Sequence, residues 1–270
     1  MKTGLSRLTI VVIIVASLLG WMVIGGIFFA ARKEVRNREA LKEVTEATAK
    51  LNKDIGEKIG KEDTVLGSSD KVQQFQDALK SAAGKTSGDD AKALRAVQRI
   101  TAAMKANLSN YEAAYSAFLN KGGLKPDTLG SSEAITERLA LLKRFEQTNN
   151  EFTTFLKGVE SEFRNKLSEE GLPPKMLEAT ARGFKQSAHV DVLLKIRGTD
   201  SELCVLMAKY LQLLQAEWGK WRLNENGAVI FQRGTAATEF NEYGRQIQEV
   251  AARQEKLQKT LIQLRQQAAI

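Results

Sequence analysis

One histidine and one cysteine occur among the 270 residues, and this bounds the chemistry the chain can do. Zinc sites and nucleophile–histidine pairs draw on several such groups. His189 has Lys185, Val192 and Leu193 at helical contact spacing, none of them a carboxylate or a second ligand, and Asp191 at two residues points elsewhere. It reads as a surface or half-buried structural histidine. Cys204 sits in an apolar run and reads as a small hydrophobe. A lone cysteine forbids an internal disulfide or a multi-cysteine metal site. Gly84-Lys85-Thr86 has the ending of a phosphate loop, but Leu79 stands where that loop needs glycine and no strand precedes it. Asn107-Leu108-Ser109 fits a glycosylation sequon, yet Leu108 belongs to a buried helical seam. No catalytic, cofactor-binding or metal-binding residues are therefore expected. One patch outside the N-terminal region offers more than helix packing. Trp218, Trp221, Asn226, Gly227 and Phe231 cluster around a short hairpin and form a candidate interaction tip; the plainer reading is a cap on the end of the bundle.

The elements that must hold this patch are helical. Three prolines and long Ala/Leu/Glu/Lys/Gln stretches predict an all-α chain. Val72, Phe75, Leu79 and Ala82 give a short helix one apolar face, capped from Ser68, Ser69 or Asp70. Asp89 and Asp90 cap a long helix with Leu94, Thr101, Leu108 and Tyr115 on one heptad position and Val97, Met104, Tyr111 and Phe118 on the other. After a turn around Pro126, a helix from Ser131 or Ser132 to about Glu170 carries Ile135, Leu142, Asn149, Leu156 and Phe163 against Phe145, Phe152 and Val159. Leu139 and Phe155 widen that stripe beyond a two-stranded seam, which points to a bundle. Asn149 on the seam fixes register or, alternatively, meets a ligand.

Gly171-Leu172-Pro173-Pro174 breaks the chain, and the next apolar face runs from Met176 through His189 to Ile196. Arg197-Gly198-Thr199-Asp200 is expected to close that helix and cap another. The latter holds Leu203, Met207, Tyr210, Leu211, Leu214 and Trp218 in the core. Trp221-Arg222-Leu223 and Val229-Ile230-Phe231 flank Asn224-Glu225-Asn226-Gly227, a hairpin signal. From near Thr235, Phe240, Ile247, Gln254 and Leu261 alternate with Tyr243, Val250, Leu257 and Leu264 in a final heptad helix.

Residues 8–31, LTIVVIIVASLLGWMVIGGIFFAA, hold no charged side chain. As a helix this stretch is about 36 Å long, enough to span a hydrocarbon core of roughly 30 Å. It is too long for a signal peptide's apolar region, and Phe29-Ala30-Ala31 before Arg32 is a poor cleavage site. The expected organisation is a tail at 1–7, a single-pass transmembrane anchor at 8–31, a helical stalk at 32–60, and an antiparallel bundle at 61–270 with its hairpin near 221–231. Leu41, Val44, Thr48, Leu51, Ile55 and Ile59 give the stalk an apolar stripe that needs a partner helix. Orientation is open to two arguments. Arg32, Lys33, Arg36 and Arg38 outnumber Lys2 and Arg7 and favour a cytoplasmic body; the short basic tail before a long apolar run has the form of a signal-anchor and favours a periplasmic one. The periplasmic body is the expectation taken here.

Net charge is +8, and +6 of it lies beyond the apolar run, dispersed without a run of five basic residues. A solvated helical surface accounts for it, and no basic–aromatic interleaving suggests nucleic acid. In the C-terminal part, Trp221-x-x-Asn224, Asn226-Gly227, Ile230-Phe231 and Glu239-Phe240-Asn241 before a terminal helix resemble a family of bacterial envelope lipoproteins of unknown function. This chain departs from that family in having a helical anchor and no lipidated cysteine. The resemblance implies an outward-facing envelope domain, with no activity or site residues attached. The expected function is a membrane-anchored scaffold or interaction module, not an enzyme, whose partners are the lipid bilayer and a protein or second copy met through heptad-patterned helices. The alternative is a periplasmic ligand-binding sensor that signals through a partner.

Overall fold

The computed structural model describes residues 39, 42–47, 49–50 and 68–267. The apolar stretch at 8–31, the tail before it and most of the 32–60 stalk lie outside the described residues. Among those described, no helix is long and apolar enough to cross a membrane.

The body is a helical bundle with one two-stranded hairpin, in the order α1 (Ser68–Lys85), α2 (Gly88–Asn120), a 3-10 turn (Pro126–Thr128), α3 (Ser132–Glu169), α4 (Pro174–Ala188), α5 (Val190–Ala216), β1 (Trp221–Leu223), β2 (Val229–Phe231) and α6 (Gly234–Gln267). Helix α1 packs on α2, α2 on α3, α3 on α5, and α5 on α6. Side-chain pairs fix the directions. Arg95 and Lys92 near the start of α2 reach Glu170 and the Gly171 carbonyl at the end of α3, while Lys121 at the end of α2 meets Glu137 near the start of α3. Gln215 late in α5 donates to Thr136 early in α3 at 2.8 Å. Neighbouring long helices are thus antiparallel.

Helical periodicity sets what each helix buries. All eight heptad residues of α2 and all eight of α3 are buried, as are Val72, Phe75, Leu79 and Ala82 of α1. Each fully buried large apolar side chain among them contributes roughly 1.5–3 kcal/mol of transfer free energy. Aromatic rings tie the helices together: Tyr111 and Tyr115 of α2 meet Phe145 of α3 at 5.0 Å, and Tyr210 of α5 meets Phe240 of α6 at 4.4 Å. The helix ends are closed by backbone geometry. At the end of α2, Gly122 N–H donates to Leu119 O and Gly123 N–H to Phe118 O; at the end of α3, Gly171 and Leu172 make the same pair of bonds to Ser168 and Leu167. Ser131 accepts from Ala134 N–H and caps α3. Helix α2 begins at Gly88, so Asp89 and Asp90 fall in its first turn, and the cap position belongs to Ser87.

The expected break at Arg197-Gly198-Thr199-Asp200 does not occur. Helix α5 runs unbroken through these four residues, and the chain turns instead at His189, whose φ is +46°. Gly198 inside a helix costs about 1 kcal/mol relative to alanine. The contacts on either side of it outweigh that cost: Arg197 and Asp200 pair in the core at 3.0 Å, and Thr199 Oγ1 donates to Ile196 O at 2.6 Å. The caps suggested by Thr199 and Asp200 are instead buried side chains. Trp218 also departs from expectation. Helix α5 ends at Ala216, and Trp218 lies beyond it, 39% exposed, outside the core.

Of the stalk stripe, Val44 falls among the described residues and is fully buried against the bundle core. Its neighbour Glu43 accepts from Lys85 Nζ at 2.5 Å and from Ser81 Oγ at 3.4 Å. Glu43 of this segment is therefore held by α1 of the same chain. Leu41, Thr48, Leu51, Ile55 and Ile59 lie outside the described residues.

Candidate functional site

The hairpin follows directly from the end of α5. Gly219, with φ +77°, turns the chain out of the helix, and Gln232 N–H donates to Lys220 O at 2.8 Å to close the base of the ladder. The register pairs Trp221 with Phe231, Arg222 with Ile230, and Leu223 with Val229. At the apex, Gly227 N–H donates to Asn224 O and Gly227 takes φ +73°, a conformation that favours glycine. Asn224 Oδ1 accepts from the N–H groups of Asn226 and Ala228, both at 2.9 Å, so the turn carries its own side-chain clamp.

Strand alternation divides the five residues proposed as a tip. Phe231 faces inward, is buried and meets Phe240 of α6 at 5.3 Å. Trp221 is half-buried and donates its Nε1–H to the Leu214 carbonyl at 2.9 Å, which satisfies one of the last carbonyls of α5. Trp218 stands edge-on to Trp221, with centroids 5.4 Å apart and planes at 80°. Asn226 and Gly227 are exposed at the apex. The structure thus brings Trp218, Trp221 and Phe231 into one run of contacts, with Trp221 and Phe231 as its anchors and Trp218 as its solvent face. Ile230, 42% exposed opposite Arg222, belongs to the outer face and was missed from sequence. Period-two alternation through Val229-Ile230-Phe231 is the signal that marks it. Glu217, at the end of α5, is buried and holds Arg233 at 2.5 Å, pinning the start of α6 beneath the hairpin.

A second constellation lies in the core. Arg197 and Asp200, both essentially unexposed, form an ion pair within α5, packed against α2, α3 and α6. The Arg197 guanidinium lies 4.4 Å from the centre of the Tyr111 ring and 5.6 Å from that of Phe152. Gln254 of α6 donates to Asp200 at 2.5 Å, and Asn149 of α3 donates to the Arg197 carbonyl at 3.1 Å and to Ser201 at 3.0 Å. Asn149 therefore fixes the register of α3 against α5, one of its two sequence readings. Burial pushes the Asp200 carboxyl above its ordinary value against the pull of Arg197, and burial pushes the Tyr111 hydroxyl well up. Burial likewise raises the Cys204 thiol, which is 2% exposed. These groups hold helices together and present no reactive atom to solvent. His189 is half-buried at the α4–α5 corner. Among the described residues, no group of three or more His, Cys, Asp or Glu is placed to hold a metal.

On the outer side of Ser201, an open groove of about 720 Å³ runs between α5 and α6. Val205, Leu206 and Val250 are its apolar lining; Glu202, Gln246, Glu249 and Arg253 are polar or charged lining. Arg253 bonds Glu202 across it.

No protein-family model, curated protein or solved structure matches this chain. Its functional reading rests on its own residues.

Proposed function

We propose that the chain is a single-pass, membrane-anchored helical-bundle protein that acts as a scaffold or interaction module in the bacterial cell envelope, without catalytic activity. The observation that carries this reading is the hairpin end, where Trp218 and Ile230 are held toward solvent by a packed base of Trp221, Phe231 and Phe240. A Trp side chain fixed in an exposed position by an edge-on neighbour suits recognition better than it suits folding. The charge-free stretch at 8–31 supplies the anchor, and Val44 of the segment that follows it docks on the body. The body stands on the periplasmic face of the inner membrane, as the form of a signal-anchor favours. The C-terminal resemblance to envelope lipoproteins supports the same side. A protein partner or a second copy meets the outer helical surface, since the described heptad stripes pack within the chain.

Two measurements test this. The full chain should remain with membranes through alkaline carbonate extraction and leave them only in detergent; release by carbonate alone would sink the anchor. A reporter active in only one compartment, fused after Ile270, should be active in the periplasm. Cytoplasmic activity would reverse the orientation.

The α5–α6 groove favours one other reading, a ligand-binding sensor. That reading expects a saturable rise in melting temperature with some small molecule. Broad screening without a shift, together with a crosslinked protein partner, favours the scaffold.

A further inference from the structure

We propose that the hairpin end is a lipid-contacting tip, which engages an anionic bilayer surface other than the one holding the N-terminal anchor. This rests on the anchor reading above. Position is the first argument. Glu43 of the stalk contacts Lys85, at the end of α1 that adjoins the start of α2. The hairpin lies at the opposite end, where Lys121 of α2, Thr136 and Glu137 of α3, and Gln215 of α5 meet. Between the two ends runs the whole of α2, 33 residues, or about 50 Å of helix. The stalk contact at Glu43 and the hairpin thus lie at opposite ends of the bundle.

Chemistry is the second argument. Of the three large hydrophobic residues exposed among those described, Trp218 and Ile230 are both at this end. Lys220, Arg222 and Arg233 are exposed around them, and Arg222 pairs across the strands with Ile230. Of the two carboxylates in this segment, Glu217 is buried and bound to Arg233, leaving Glu225 at the apex as the exposed one. An amphipathic Trp beside an aliphatic residue and long cationic side chains is what a headgroup region accommodates: rings at the interface, cations on phosphates. Size decides between this surface and a protein. A stable protein interface buries on the order of 1,000 Å² or more with matched shape. Two apolar side chains on a three-residue ladder do not supply its core. A bilayer requires no matched shape, and a small wedge with cations gives weak, reversible binding that many copies on one membrane make firm.

The test uses the full chain reconstituted into labelled donor vesicles of zwitterionic phospholipid. Flotation first verifies incorporation. Unlabelled acceptor vesicles are then added, made either of zwitterionic lipid alone or of equal parts zwitterionic lipid and phosphatidylglycerol. Capture of the anionic acceptors is expected, with loss in high salt. The pairs Trp218→Ser with Ile230→Ser, and Lys220→Glu with Arg222→Glu, should each lower capture about tenfold or more. All four sites are exposed, so an unchanged circular-dichroism spectrum verifies that these variants fold. Incorporated protein that captures no acceptor overturns the tip, as does capture indifferent to lipid charge and to both variants. Failure to incorporate overturns the anchor instead; the tip is then judged by sedimentation of the same chain with the two acceptor compositions.

Discussion

Arg197 and Asp200 show most directly what single side chains do in this molecule. They are buried together, with Tyr111 beneath the guanidinium and Gln254 on the carboxylate. Removing one partner leaves an uncompensated charge in the core. Asp200→Ala should therefore lower unfolding stability by about 3–5 kcal/mol in urea titrations, whereas Arg197→Met combined with Asp200→Leu should lose much less. Equal losses in the two proteins would mean that the pair contributes through packing rather than charge. Cys204 permits a simpler measurement. It is buried, and its thiol is pushed well above the ordinary value, so the nucleophilic thiolate is scarce. A thiol reagent should label the native protein far more slowly than the urea-unfolded chain, and rapid native labelling would contradict the placement of α5. The heptad spacing of Asn149 and Gln254 was legible in sequence, but their partners were not. Asp200 and Ser201 lie some fifty residues away in the chain, and no local pattern encodes a contact of that separation.

Among the elements, the joints carry most of the specification. Gly122, with φ +103° at the end of α2, has no room for a side chain: a Cβ there would sit 2.3 Å from Thr128 Oγ1. Gly171, with φ +73° at the end of α3, has open space around it. Gly171→Ala should cost about 1–2 kcal/mol from the left-handed backbone alone. Gly122→Ala should cost clearly more, and adding Thr128→Ala should restore only a fraction of the steric part, because the Cβ at position 128 still lies 2.7 Å from the new methyl. Thermal melts of the three variants read this order directly; equal losses for the two glycines would show that the 121–130 turn yields freely. Gly122 lies just before the turn placed around Pro126, and Gly171 was visible in sequence as a break. The α4–α5 corner was not, because His189 is neither Gly nor Pro and its left-handed turn is imposed by the helices on either side. Gly198 misled in the opposite direction. It has the composition of a break, yet the buried contacts of its neighbours keep the helix intact.

Across the whole molecule, charge is spread over the helix surfaces in short-range pairs. Glu43, Glu137, Glu169 and Glu178 have lowered carboxyl values from hydrogen bonds to Lys85, Lys121, Lys166 and Arg164, and Glu242 falls to about 2 beside Arg245 and Gln246. A folded value below the unfolded one adds stability at pH above the unfolded value near 4.5 and loses it as pH falls through the folded value. The melting temperature should therefore decline as pH is lowered from about 4.5 toward 2, most of the Glu242 share going last. These pairs are exposed and individually weak, so molar salt should flatten the profile. A pH profile that salt leaves unchanged would show that these exposed pairs do not cause the decline. At the same scale, the stalk contact at Glu43 and the hairpin lie at opposite ends of the bundle.

Sequence by itself determined the helical class, the buried stripes of α1, α2 and α3, the partly buried stripe of α6, the residues of both hairpin strands, and the charge-free stretch at 8–31. All of these are properties of one segment. A period of 3.6 or 2 states which face of an element avoids water, and glycine or proline states where the backbone turns. Tertiary structure decided the rest: the corner at His189, the burial of Arg197 with Asp200, the burial of Val44 in the bundle core, and a hairpin that buries Phe231 while exposing Ile230 and Trp218. Each depends on how the elements pack against one another. Periodicity gives the direction a side chain faces along its own helix or strand, and only packing gives what it meets there.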